Sequence, residues 1–421
     1  MTDQGSLLES ILDATPSTPT PRLTSVAPAE RPPATGMTLE SVVERLRDTA
    51  TRKLDVVLNT KDHISLVPMV KENGIYRPAD EAESAPGAEG VEVGAMIYGT
   101  GTKLDGAGIL QVTPWAHQQM SDRVGIPWKY YQRMMERDVG LLMENVHAWW
   151  HNEPQYRMAR TLEPNGTPGR IRAWVSNGYR VLDDLDFAVT VLEAAEEFGA
   201  RIHTCNVDDQ RLYIQLVTDM TAEISPDDAI QLGVQVRNSE VGDGRIEVSP
   251  WVYRRWCKNG ATSTKNYCRV HLGSKQDLGI LSEETLQKQN EAIWSEVRDW
   301  VRFALDQANL RRIVAMFKGT KEVPVEEEAK VAVGNVVKRF GMNQGEANAV
   351  LERFLRQNDD TAFGLINAVT REAQERPSYR RRMEFEEIGG EMMEMKPKEL
   401  ASVINAPMSE RVVEKLFIEK N

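Results

Sequence analysis

Residues 171–199, IRAWVSNGYRVLDDLDFAVTVLEAAEEFG, decide the fold. Ile171–Ser176 and Tyr179–Leu182 read as short strands flanking Asn177-Gly178, the dipeptide suited to the positive φ angles of a two-residue type I′ hairpin. The acidic run from Asp183 then opens an amphipathic helix that ends at Gly199. Working outward, RIHTCNVDD, RLYIQLVT and QLGVQVRNSEVGDGRIEVSPWVYRRWC alternate as strands separated by tight glycine turns. Upstream, Thr38 caps a predicted helix with Leu39, Val42, Val43 and Leu46 at helical spacing, and DVVLN, ISLVPMV, VEVGAMIYGT and GILQVT read as strands. Residues 78–91 combine acids with Pro and Gly and read as a solvated loop. Thr113-Pro114 starts one predicted helix, and Gly125 with Pro127 stops it and starts another through Trp128, Tyr130, Tyr131, Met134 and Met135. Beyond Ser282 the period becomes helical throughout, with Ile293, Val297, Trp300, Val301, Ala304 and Leu305 on one face of a long helix. The expected class is α+β: an antiparallel sheet with a hairpin-helix-strand core over 37–281, followed by a helical C-terminal region over 282–421 that forms a domain or a collar around the sheet.

Residues 1–36 are rich in Pro, Ser, Thr and Ala and are expected to be a disordered tail. Leu7, Leu8, Ile11 and Leu12 within it suit one face of a short helix docking on a protein partner. With 421 residues and 41% hydrophobic content the chain is long enough for at least one sizeable core. Three cysteines are too few for a disulfide framework, which points to a reducing, cytoplasmic compartment. No apolar run reaches a membrane-spanning length, and the opening residues lack the basic-then-apolar order of a secretion signal. A net charge of −12 excludes a protein that coats duplex DNA over its whole surface, so any contact with a polyanion must be local.

The one acid-free, cation-rich stretch is Val248–Gln276. It carries Arg254, Arg255, Lys258, Lys265, Arg269 and Lys275, with Trp251, Tyr253, Trp256 and Tyr267 among them. Cations clamp phosphates and planar rings stack unpaired bases, so the candidate nucleic-acid-binding residues are Trp251, Arg254, Arg255, Trp256, Lys258, Lys265, Arg269 and Lys275. Strand alternation allows only a subset of them to reach one ligand.

Other motifs carry less chemistry. Glu240 in NSEVGDG suits a turn that fixes strand register, with a metal or phosphate role as the alternative. Glu144, His147 and His151 share a helical face but do not form HExxH, and His203 with Cys205 supplies only two ligands, so no metal is expected. The chain lacks GxSxG, a Walker loop and a strand-borne GxGxxG, and GTGTK at 99–103 lacks phosphate-loop spacing. No cofactor and no catalytic residue is assigned. The SYRRR patch, 378–382, precedes acids and reads as a salt-bridged helix surface.

IRAWVSNGYRVLDD, VRNSEVGDGRIEVSPWVYRRWCKNG, the His271-Gly273 element, TAFGLINAVTREAQ and upstream GIPWKYYQRM together resemble a family of phage/plasmid-like proteins whose domain has no established function. The resemblance covers most of 110–375 and implies a bacteriophage or plasmid origin and action in the host cytoplasm. The order of hairpin, helix and strands is also similar, at the level of fold, to the Rad and Red-type single-strand annealing proteins, which act as oligomeric rings. The expectation is a non-enzymatic accessory protein of recombination or replication that binds and anneals single-stranded DNA without nucleotide hydrolysis, as a homo-oligomer. The alternative is a structural or host-interaction protein.

Overall fold

The computed structural model describes residues 37–72, 75–78, 91–165, 169–225, 228–254, 259–271 and 282–417. Helix α1 (Leu39–Arg52) starts where the Thr38 hydroxyl accepts the Ser41 amide, and it buries Val42, Val43 and Leu46. Next come β1 (Lys53–Asn59), β2 (Ile64–Glu72), β3 (Ile75–Pro78), β4 (Glu92–Ile97) and β5 (Leu110–Val112). Helices α2 (Pro114–Arg123), α3 (Trp128–Arg137) and α4 (Val139–Asn152) lead to β6 (Tyr156–Leu162) and β7 (Arg170–Ser176). These strands form a mixed sheet in the order β1-β6-β7-β5-β4-β2-β3, parallel only between β5 and β7. One face packs Val56, Leu66, Ala95 and Ile171 against Tyr131, Met134, Val146 and Trp150 of α3 and α4.

The expected hairpin at Asn177-Gly178 does not form. The antiparallel partner of β7 is β6, which precedes it. The chain turns through a Tyr179 amide bond to the Ser176 carbonyl, and neither Asn177 nor Gly178 has positive φ. Burial explains the departure from local preference: the Tyr179 ring stacks on His271 and its hydroxyl donates to the Ser239 carbonyl, while Leu182 enters the next core. Residues 179–182 are therefore drawn inward rather than along an edge.

Helix α5 (Asp184–Glu196) ends before Gly199, whose φ of +60° suits glycine. A second sheet follows from β8 (Arg201–Val207), β9 (Leu212–Ser225), β10 (Asp228–Asn238), β11 (Ile246–Arg254) and β12 (Asn259–Thr262), antiparallel neighbours in sequence order, with β13 (Tyr267–Arg269) also on β11. Helices α1, α5 and α6 (Glu283–Ala304) close one core on it, in which Leu46, Val191 and Val297 meet Ile214, Val234 and Val248.

The remaining helices are α7 (Gln307–Lys321), α8 (Ala329–Phe340), α9 (Gln344–Gln357), α10 (Ala362–Ala373), α11 (Tyr379–Glu394), α12 (Pro397–Ile404) and α13 (Glu410–Leu416). They share a core with the far ends of the same strands, where Ile313, Val336, Phe354, Leu365 and Phe385 pack with Ile230, Leu232 and Val252. The helices after 282 thus wrap the sheet. The molecule is α+β, and no helix among the described residues is long and apolar enough to cross a membrane.

Candidate functional site

Placement of the acid-free ribbon removes two of its proposed contacts. Trp251 sits on β11 with no exposed surface, its ring lying across Gly233 on one neighbouring strand and Gly260 on the other, and its Nε1 donates to Glu386 at 3.0 Å. An indole held there has no face to offer a base. Arg254 donates through Nε and Nη2 to both Asp228 oxygens at 2.6 Å and lies 4.8 Å from the centre of the Phe363 ring. Its charge is spent inside the fold. Lys265 and Arg269 are exposed, the first with its ammonium over the Phe303 ring. Arg255, Trp256, Lys258 and Lys275 lie outside the described residues.

The densest charge lies at the junction of the two sheets. Arg160 of β6, fully buried, donates to Asp55 at 3.0 and 2.9 Å, to Asp183 at 2.7 Å and to the Glu240 carbonyl at 2.6 Å. Burial disfavours this guanidinium, but Asp55, Asp183 and Glu240 outweigh it and keep it charged. Burial likewise pushes the Asp183 carboxyl up, yet Arg160 and then Lys53 hold it at about 2. With Asp183 so engaged, it gives α5 no side-chain cap; Glu240 supplies it from the β10–β11 turn by accepting the Asp184 amide at 2.8 Å. The other Glu240 oxygen accepts Arg172 at 2.7 Å. Asp184 accepts Asn238 at 2.8 Å, and burial, then Glu240, raise its carboxyl well above the ordinary range. His271 bonds Asn238 and the Arg180 carbonyl, and burial lowers it to about 4. Glu240 is thus an internal tie between turn, strand and helix.

Arg160 and Arg172 form no local sequence pattern, because single arginines on separate strands come together only in the fold. The other sequence motifs are used internally. In the 99–103 loop, the Thr100 and Gly101 amides donate to Asp105, so the loop already holds an anion of its own. His147 accepts the Leu66 amide and His151 bonds the His147 carbonyl, and no cluster of three metal-ligating side chains exists among the described residues. His203 packs on the Trp251 and Tyr253 rings, while Cys205 joins the core under α1; a register shift between Ile202 and Thr204 separates them. Arg380, Arg381 and Arg382 each meet a carboxylate.

An outward-facing basic surface does exist, elsewhere. On α3, Lys129, Arg133 and Arg137 recur at every fourth position, all exposed, and none pairs with a carboxylate among the described residues. Tyr130 is 49% exposed beside them, and Trp149 of α4 is 45% exposed. Arg123 ends α2, and its charge, after the larger effect of burial, lowers Arg157 on β6. The i, i+4, i+8 spacing within WKYYQRMMER was the available signal.

No family model, curated protein or solved structure matches the chain. Function therefore rests on the geometry.

Proposed function

We propose that the chain binds single-stranded nucleic acid over the α2–α4 surface, as a non-enzymatic accessory of phage recombination or replication. The observation that carries this reading is the cationic row Lys129, Arg133 and Arg137 with Tyr130 exposed beside it. The guanidinium groups of buried Arg160 and part-buried Arg254 are neutralised within the fold, whereas these three are free to meet phosphates. Tyr130 and Trp149 offer ring faces to unstacked bases, at about 1–3 kcal/mol per stacked base. Such a surface holds the backbone and leaves base edges available, which is what annealing requires and needs no nucleotide hydrolysis.

Fluorescence anisotropy with labelled single-stranded and duplex oligonucleotides at two salt concentrations tests it, beside a mass measurement of the assembly. Replacing Lys129, Arg133 and Arg137 together by Ala should weaken single-strand binding and flatten the salt dependence by about 2 in log–log slope, at roughly 0.7 per phosphate contact for single strands. An unchanged slope in that variant removes the surface from consideration. Absence of oligonucleotide binding by the parent chain, with a protein retained instead in pull-downs, favours the host-interaction alternative.

A further inference from the structure

Large exposed hydrophobic side chains gather on one helical surface. Tyr130 of α3 and Leu141 and Trp149 of α4 are each at least 38% exposed, and Leu355 of α9 is the only other such side chain on a described helix. Leu141 and Ala148 lie two turns apart on one line of α4, with Trp149 beside them, all facing solvent. Leu142, Val146 and Trp150 bury the opposite side. A helix that is apolar on both sides marks an interaction surface.

This strip has a positive border. The two helices hold two acids, Glu136 and Glu144, against Lys129, Arg133 and Arg137. Asp138, between them, is already committed to the Leu141 amide. A matching cover must therefore be apolar and acidic at once.

The chain contains such a segment. Its first 21 residues hold Asp3, Glu9 and Asp13 and no lysine or arginine, and Leu7, Leu8, Ile11 and Leu12 have the spacing of one helical face. These residues lie outside the described ones, which begin at Met37. Met37 pairs with Cys205 on β8, and α1 then runs directly into β1 of the sheet that carries α3 and α4. Residues 14–36, at about 3.3 Å each, can extend over roughly 75 Å. A body of this length has a radius of gyration of about 22 Å, so the segment can reach any face of its own molecule.

We propose that the segment around Leu7, Leu8, Ile11 and Leu12 docks on the α3–α4 surface of its own chain, with its aliphatic side chains over Leu141, Ala148 and Trp149 and its acids toward Lys129, Arg133 and Arg137. A tethered segment sits at an effective concentration on the order of 1 mM, so a dissociation constant of about 0.1 mM keeps the face covered in roughly ten molecules of eleven. Nucleic acid must then displace it, which weakens binding about tenfold. That consequence rests on the nucleic-acid reading above; the docking does not.

The test uses full-length chains and a fluorescein-labelled peptide of residues 1–14. Replacing Leu7, Leu8, Ile11 and Leu12 by Ser removes the tethered competitor. Saturable binding of the peptide to that variant is expected by anisotropy, with about tenfold weaker binding by the parent chain at each of two protein concentrations. In the same Ser background, replacing Lys129, Arg133 and Arg137 by Ala, or Tyr130 and Trp149 by Ser, should weaken the peptide about tenfold or more. No saturable binding, or binding unaffected by both face variants, overturns the docking. A parent effect that vanishes on dilution overturns the same-chain occupant and assigns the segment to a second copy. Peptide binding with no oligonucleotide binding supports the docking and sinks the nucleic-acid reading; oligonucleotide binding with no peptide binding does the reverse. Where both bind, the Ser variant should hold a single-stranded oligonucleotide about tenfold more tightly than the parent, and equal affinity overturns the competition.

Discussion

Replacing Arg160 by Met removes the cation at the sheet junction while keeping most of its volume. The structure gives the size of the loss. Asp183 is 7% exposed, and its carboxyl, pushed up by burial, is held at about 2 by Arg160 and then Lys53. The drop from an ordinary value of 3.8 corresponds to about 2 kcal/mol for this carboxylate. Asp55 loses two further charge-assisted bonds, and the Glu240 carbonyl loses its donor. Breaking one partner out of a buried network costs about 3–5 kcal/mol, and we expect a loss in that range at pH 7, read as a lowered urea midpoint by tryptophan fluorescence. The pH dependence follows from the sign of the shift. In the parent chain the contribution of Asp183 is present above 3.8 and lost as pH falls through 2. In Arg160→Met only Lys53 still opposes burial, so the folded carboxyl rises from about 2 and Asp183 contributes less at neutral pH than it does in the parent. The gap between variant and parent should therefore narrow as pH falls from 7 toward 2. A loss below about 1 kcal/mol, or a gap that stays constant on acidification, would refute the account of this junction.

Trp251→Ala should cost about 3–5 kcal/mol, as large core truncations do, while leaving oligonucleotide affinity per folded molecule unchanged. Gly260→Ala tests the same packing from the other side, because its Cβ would lie 2.3 Å from Trp251 Nε1; a midpoint equal to that of the parent would show the ring is not confined. Arg254→Ala is expected to lower stability by removing both guanidinium bonds to buried Asp228, with no change in the salt slope of nucleic-acid binding. Burial lowers His117, His203 and His271 to about 4, so each contributes stability above 6.5 that is lost as pH falls toward 4, at up to about 1.4 kcal/mol per pH per residue. His271→Gln should reduce that acid slope in denaturation midpoints measured across pH 7 to 4.

The helices and the second sheet were legible because each obeys a local rule. Thr38, Thr113 and Ser282 cap helices where their hydroxyls precede helical spacing, and the strands of 201–254 are rich in β-branched and aromatic residues, with β10 and β11 buried along most of their length. The hairpin misled because Asn177-Gly178 reports only a turn, whereas the pairing of β7 was set by Tyr179 and Leu182 being buried. The ribbon misled for a related reason. A stretch without acids says nothing of acids brought from elsewhere, and Asp228 and Glu386 arrive from 26 and 135 residues away. The basic face of α3 was present as a periodicity but was masked by the aromatic residues through which the same helix packs.

Glu240 and Arg160 also bear on mechanics. One short turn between β10 and β11 is tethered to β6, β7 and the first residue of α5 through oppositely charged atoms with little access to water. Sliding one sheet past the other would pull those charges apart in a medium that screens them poorly, so the two layers must move as a single stiff block.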